Sequence, residues 1–306
     1  VIARRLKNAI DRVPVLRSAV RSRSGQYLVQ TARGASAVRE RLRFAVRQLG
    51  LAPAGTYRLS DSGLHIILRH ERLFASGRAA PPTGDVQILI DIFGGRNGHH
   101  GYEPPHAIAA ALDDRSALRA LDLGGNIGLF GAYVFGRWPS ASIKSYEPDP
   151  ANLAILTRVI AANRLEDRWS VAEVAAANYT GEMTFVAGMF AESHAVTKTD
   201  GSSPRGNGQT ITVPAVDIFE EDHDVDLMKI DIEGGEWSIL TDPRLGELRA
   251  DFLIIEWHER GAPEPDARGA AARLLRAAGY GRQEEVDVST HKGALWAWRE
   301  GRVGSG

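Results

Sequence analysis

The 306 residues contain no cysteine. This excludes a disulfide framework, a thiolate metal site and a cysteine nucleophile. Long apolar runs are also missing. The longest are stretches such as Ile88-Leu89-Ile90 and Ala107 to Leu112, against the ~20 residues that a membrane-spanning helix needs. No continuous apolar leader is present, so the expectation is a cytoplasmic protein without a transmembrane segment. Aromatics are scarce where single-stranded nucleic acid would need them: residues 1–50 hold only Tyr27 and Phe44. Acidic residues are scarce there too. Residues 1–80 have 16 basic and 4 acidic side chains, a balance of +12, while the remainder carries −13. A nucleic-acid-binding function would have to use that basic segment, and the lack of interleaved rings speaks against it.

What is present describes a globular chain. Apolar residues make up 43% and charged residues 25%, within the range of folded proteins. The length allows one or two domains. The charge split predicts a basic extension over residues 1–84 ahead of an acidic body over 85–306. Within the extension, Ile2, Leu6, Ala9, Ile10 and Val13 recur at helical spacing before Pro14. Val38, Leu42, Ala45, Val46 and Leu49 do the same before Gly50. Thr56–Leu59 and Leu64–Arg69 predict a hairpin around Ser60-Asp61-Ser62-Gly63. Such helices suit docking or a homo-oligomer contact.

After residue 85, short apolar strands alternate with helical stretches, the pattern of a doubly wound parallel sheet. The expected strands are Val86–Ile92, Leu118–Leu123, Ser142–Tyr146, Trp169–Val174, Asp226–Ile232, Phe252–Trp257 and Ala294–Trp298. Met183–Ala187 and Ile211–Val216 form a further expected pair. The segment joining them is rich in Gly, Ser, Asn and Thr, reads as a mobile loop, and contains His194.

The most informative segment runs from Ala120 to Phe130 through Asp122-Leu123-Gly124-Gly125-Asn126-Ile127-Gly128. A buried strand enters a glycine turn and then a helix, so a ligand can approach the backbone closely. Asp122 narrows the ligand. A carboxylate here opposes a pyrophosphate by Coulomb repulsion but suits the amine and sulfonium of S-adenosylmethionine. The spacing Asp-x-Gly-x-Asn-x-Gly also differs from the Gly-x-Gly-x-x-Gly of nicotinamide enzymes, so a nicotinamide oxidoreductase is the weaker reading. Glu147 ends the next strand, where an acid accepts ribose hydroxyls, and Pro148-Asp149-Pro150 turns the chain into a helix over Ala151–Ala162.

A third segment, Asp226-Leu227-Met228-Lys229-Ile230-Asp231-Ile232-Glu233-Gly234-Gly235-Glu236, brings two acids to the carboxyl edge of the sheet. Asp231 and Glu233 would face one side of a continued strand, where they could bind a cation or take a proton. His258 ends the strand after Phe252 at the same edge, with an unperturbed pKa near 6.5 suited to a base.

In this order, Leu121 to Gly128, Tyr146-Glu147-Pro148-Asp149-Pro150, Met228 to Glu236 and Ile255-Glu256-Trp257-His258 resemble the FkbM family of S-adenosylmethionine-dependent methyltransferases. The resemblance covers about residues 100–300. It implies a seven-stranded class I methyltransferase sheet and O-methylation of a sugar, glycoside or polyketide-type natural product. It places Asp122, Gly124, Asn126 and Gly128 at the methionine part of the cofactor, Glu147 and Pro148 at the ribose, and Asp231 beside the reacting methyl. S-adenosylhomocysteine would be the product. His258, Asp231 and Glu233 are the candidate proton acceptors. With only two clustered acids evident, the expected reaction is metal-free.

Overall fold

In a computed structural model, residues 23–48, 55–69, 74–75, 78–79, 84–94, 102–188, 194–195, 209–221, 224–288 and 292–301 are described. The chain divides into two compact units, Val1–Gly101 and Tyr102–Gly306. The expected helix over residues 2–13 lies outside the described residues.

The first unit contains α1 (Arg23–Ala37), α2 (Arg41–Gln48), β1 (Gly55–Arg58), β2 (His65–Leu68), the short pair β3 (Phe74–Ala75) and β4 (Arg78–Ala79), and α3 (Asp85–Phe93). The predicted hairpin forms, with Thr56 opposite Ile67 and Arg58 opposite His65. Phe44 of α2 packs edge-on against Tyr57 of β1, their ring centres 5.8 Å apart. The expected strand at 86–92 is instead α3. A short apolar run fits helix and strand alike, and here Val86, Leu89 and Ile90 at spacings of three and four are all buried on one helical face. Gln87 donates to Asp91 one turn later at 2.6 Å. At its start the fully buried Asp85 accepts from the Arg69 guanidinium at 2.5 Å and the Arg69 N–H at 2.7 Å. That pairing favours burying a carboxylate at the helix N-terminus.

The second unit opens with α4 (His106–Asp113). It continues through β5 (Arg119–Leu123), α5 (Leu129–Arg137), β6 (Ser142–Tyr146), α6 (Pro150–Asn163), β7 (Trp169–Ala172), β8 (Ala175–Ala177), β9 (Gly181–Ala187), β10 (His194–Ala195) and β11 (Gln209–Asp217). It ends with β12 (Val225–Ile230), α7 (Glu236–Leu240), a 3-10 turn (Pro243–Glu247), β13 (Ala250–His258), α8 (Ala267–Ala277), β14 (Arg282–Val288) and β15 (Lys292–Trp298). The main sheet has seven strands in the order β14-β15-β13-β12-β5-β6-β7. All neighbours are parallel except β15, which runs antiparallel to β13 and β14. Numbered within this sheet alone, the order is 3-2-1-4-5-7-6 with the last strand reversed, the arrangement of class I methyltransferases.

The central strands are apolar on both faces, as a sheet covered by helices requires. Leu121, Leu123, Leu227, Met228, Ile230, Leu253 and Ile255 are all buried. Met183–Ala187 and Ile211–Val216 pair antiparallel as expected, within a separate four-stranded sheet, β10-β9-β11-β8. The sequence did not reveal β14. It lies at the sheet edge, and Arg-Gln-Glu-Glu-Val-Asp-Val carries almost no apolar pattern. Among the described residues no helix is long and apolar enough to cross a membrane.

Candidate active site

Parallel pairing brings the carboxyl ends of β5, β6, β12 and β13 to one edge. Leu123 lies opposite both Tyr146 and Ile230, and Ile230 opposite Ile255. Ligands of open α/β sheets bind at that edge.

The turn after β5 satisfies its own backbone donors. Gly124 and Gly125 N–H both donate to the Tyr146 carbonyl, and Gly128 N–H donates to the Gly125 carbonyl. Asn126 N–H donates to Glu147 Oε2 at 2.6 Å, and Ile127 N–H to Asn126 Oδ1 at 2.7 Å. Residues 124–128 therefore commit all their N–H groups inside the protein, whereas a pyrophosphate-binding turn needs such groups free. The nicotinamide reading loses its anion site. Gly124 has φ +89, and a Cβ there would lie 1.9 Å from the Asp231 carbonyl oxygen. Glycine is required so that this turn can touch the turn after β12.

Glu147 is buried. Besides Asn126, it accepts from Asp149 N–H at 2.8 Å and the Asn152 amide at 3.3 Å. Burial pushes its carboxyl up to about 7, although these three bonds oppose the shift. A carboxylate offers about four acceptor positions, so about one remains for a ribose hydroxyl. A second hydroxyl would displace the long Asn152 contact. Pro148 follows, and Asp149 caps α6 through Ala151 N–H.

Asp122 is completely buried and already paired. Its Oδ1 lies 3.2 Å from Lys229 Nζ, its cross-strand neighbour, and its Oδ2 accepts from Ser145 Oγ. Burial raises its carboxyl, with Lys229 opposing. Its charge meets Lys229 before it meets any ligand. Lys229 also donates to the Gly124 carbonyl at 3.0 Å and lies 3.4 Å from Asp231 Oδ2. Burial disfavours this ammonium, but Asp122 and Asp231 outweigh it and hold its pKa above the ordinary lysine value.

Asp231 and Glu233 do not continue the strand. β12 ends at Ile230, and Glu233 and Gly234 both have left-handed backbones, φ +54 and +97. Tyr102 Oη, 3.4 Å away, donates to Asp231 Oδ2, while buried Asp231 Oδ1 has no hydrogen-bond partner among the described residues. Burial raises the Asp231 carboxyl, but Lys229, His258 and Lys292 outweigh that and hold it below the ordinary range. Burial and the Asp231 charge push Glu233 up to about 8.

His258 ends β13. Its Nδ1 is 2.7 Å from Oε1 of the fully buried Glu236, and its Nε2 is 3.4 Å from Glu233 and 3.7 Å from Glu256. Burial lowers its pKa, but the Glu236 hydrogen bond and the nearby carboxylates outweigh that and raise it to about 9. The ordinary value near 6.5 does not apply, and His258 is a cation at neutral pH. Glu256 follows Ile255, the register partner of Ile230, pairs with Lys292, and is raised by burial and by Asp231.

Lys229 thus joins Asp122 to Asp231, and His258 lies against Glu233, with Glu147 across the glycine turn. Sequence reasoning missed Lys229, Tyr102, Glu236 and Glu256 as site residues. A lysine inside an apolar strand, two before an acid, was the legible signal for Lys229; the others depend on register or distant packing. The side chain of His194 lies outside the described residues.

A protein-family model described as the methyltransferase FkbM domain matches residues 122–281. No curated protein sequence matches significantly. Among solved structures, the N-terminal domain of human METTL16 is similar at a TM-score of 0.41 and 15% identity, covering 85% of this chain and 80% of that one. Precorrin-6y C5,15-methyltransferase from Geobacter metallireducens GS-15 is similar at 0.36 and 12%, covering 62% and 85%. P. horikoshii TYW2 in complex with MeSAdo is similar at 0.37 and 13%, covering 83% and 81%.

Proposed function

The chain belongs to the FkbM family of methyltransferases, and on that premise we propose that it methylates a hydroxyl oxygen of a small molecule. The acceptor is a sugar, glycoside or polyketide-type compound, methylated from S-adenosylmethionine by in-line displacement with release of S-adenosylhomocysteine. One observation carries the reading. The glycine turn and the turn holding Asp231 are in van der Waals contact at Gly124, so the cofactor side of the cleft adjoins a set of carboxylates. A hydroxyl acceptor must lose its proton as it gains the methyl, and this is where such a proton has receivers.

Bound S-adenosylmethionine supplies the electrophilic methyl group. The residues present suit it. Glu147 has acceptor capacity for a ribose hydroxyl, and Asp231 Oδ1 accepts no hydrogen bond from the described residues. Asp122 positions rather than binds: it fixes Lys229, which in turn holds the Gly124 carbonyl and so the shape of the turn. Gly124, Asn126 and Gly128 form the floor on which the methionine part rests. Asp231, held ionised by Lys229, receives the hydroxyl proton, and Glu233, pushed up to about 8, can share that role only at alkaline pH. His258, anchored by Glu236, is the cation that holds them in place.

The test is a methyl-transfer screen with labelled cofactor across glycosides, polyketides, peptides and RNA. Methylated hydroxyls with matching S-adenosylhomocysteine release are expected. Transfer only to nitrogen or only to RNA would overturn the acceptor class, and absence of cofactor binding by calorimetry would overturn the whole reading. Asp231→Asn should cost about 10²–10⁴ in rate. Glu147→Ala should weaken cofactor binding by about 1.5–3 kcal/mol, the range for hydrogen bonds to a charged group.

A further inference from the structure

We infer that Asp231, Glu256 and His258 form a binding site for a divalent cation of the Mn²⁺ class. The sequence showed only Asp231 and Glu233 as clustered acids, and so pointed away from a metal. The fold adds a third donor: Glu256 follows Ile255, the register partner of Ile230, and lies near Asp231 and His258.

The geometry fits. One ligand atom from each of the three residues lies within 4.8 Å of the others, and His258 Nε2 is 3.7 Å from Glu256 Oε1. Bonds of about 2.1 Å to a shared octahedral ion allow its ligands to be up to about 4.2 Å apart. Side-chain adjustments of several tenths of an ångström complete the set.

Two atoms without a hydrogen bond point to a missing ligand. Among the described residues, Asp231 Oδ1 and His258 Nε2 are both buried without a hydrogen-bond partner, Nε2 having only its longer ion-pair contacts with Glu233 and Glu256, and His258 is only 9% exposed. Its other ring nitrogen is fixed by Glu236 at 2.7 Å. A carboxylate on the far nitrogen is the usual support of a metal-bound histidine, since it sets the ring orientation and leaves the near nitrogen to the ion.

The surroundings agree. Five acidic side chains, Asp122, Asp231, Glu233, Glu236 and Glu256, lie in one ion-pair network with only Lys229, Lys292 and His258. Burying so many acids together is costly, and a divalent ion offsets that cost. The His258 ring gives up its Nε2 proton to water when the ion binds. Lys292, whose side chain is 52% exposed, can turn to solvent and release Glu256. Two carboxylate oxygens and one imidazole nitrogen suit Mn²⁺ or Fe²⁺ better than the all-oxygen preference of Ca²⁺ or Mg²⁺. Three protein ligands also leave coordination positions open to an acceptor oxygen. That last use rests on the proposed O-methylation, whereas binding of the ion does not.

The experiment is a Mn²⁺ titration of the full, chelator-stripped chain, following the free-ion electron paramagnetic resonance signal. One equivalent should bind per chain. Asp231→Asn and Glu256→Gln should each abolish that binding, and Glu236→Gln, which touches no metal, should weaken it about 10–100-fold. Should a variant fail to fold, pulsed resonance on the wild type decides, because an imidazole nitrogen must couple to the bound Mn²⁺. A folded wild type that binds no Mn²⁺, or binds it without nitrogen coupling, overturns the site. So does binding that survives in the folded variants. Nitrogen-coupled Mn²⁺ in a chain that methylates no hydroxyl supports the site and overturns the acceptor reading instead.

Discussion

Lys229 lies between two carboxylates in a place water does not reach, so its loss strands a buried charge. Lys229→Met should destabilise the chain by about 3–5 kcal/mol, the usual cost of removing one partner of a buried pair. Replacing Asp122 by Leu at the same time should recover most of it, because two apolar side chains then fill the space. Urea unfolding of the single and double variants measures both. Glu147 sets a pH dependence. Its carboxyl titrates near 7 in the folded chain against an ordinary 4.5, so the folded state holds the extra proton between those values. Stability is therefore full below about 4.5 and falls as pH rises through 7, by at most about 1.4 kcal/mol per pH unit. The groups facing it are Asp149, whose charge adds to the shift, and the amides of Asn126 and Asn152. Glu147→Gln should remove this slope from melting temperatures measured between pH 5 and 8. A ribose hydroxyl donating to the ionised carboxylate should also make cofactor affinity rise with pH through about 7, and calorimetry on Glu147→Gln should show no such rise.

The two turns are the elements that give the site its form, and both rely on left-handed backbone. Gly124→Ala places a methyl against the Asp231 carbonyl and strains a positive φ. It should lower stability by at least the ~1–3 kcal/mol of such strain and separate the turns, with cofactor affinity falling alongside. Glu233 is the opposite case, a non-glycine residue at φ +54 with its carboxyl beside the Asp231 charge. Glu233→Asn should stabilise the chain by about 1 kcal/mol, since asparagine tolerates that backbone and carries no charge, while slowing methyl transfer. A thermal melt paired with a turnover assay checks both. The elements differed in how legible they were. β6 is the expected strand to the residue, because a two-sided buried strand bounded by turns has few alternatives. α3 differs from the expected strand because an apolar run satisfies helix and strand periods alike, and packing of Val86, Leu89 and Ile90 decides for the helix.

At the scale of the whole molecule, every candidate site residue falls in the unit Tyr102–Gly306. Residues 102–306 expressed alone should bind S-adenosylmethionine with the affinity of the full chain, measured by calorimetry. A folded fragment without affinity would show that the first unit helps build the site. The balance of +12 in residues 1–80 leads us to propose that this basic segment serves docking or assembly, and oligomeric state in low and high salt tests that, because exposed charges are screened.

By itself the sequence determined the alternation of strand and helix, the glycine turn and the acids at strand ends. These depend on local chemistry: apolar period, positive φ, and a charge where a buried strand stops. The tertiary structure alone decided what those acids do. Register set Asp122 against Lys229, and folding brought Asp231 near Glu256 and Glu236 against His258 across 22 residues. Burial and charge partners then moved His258 and Glu233 far from their ordinary pKa values. Both are sums over neighbours in space, which the order of residues along one strand does not contain.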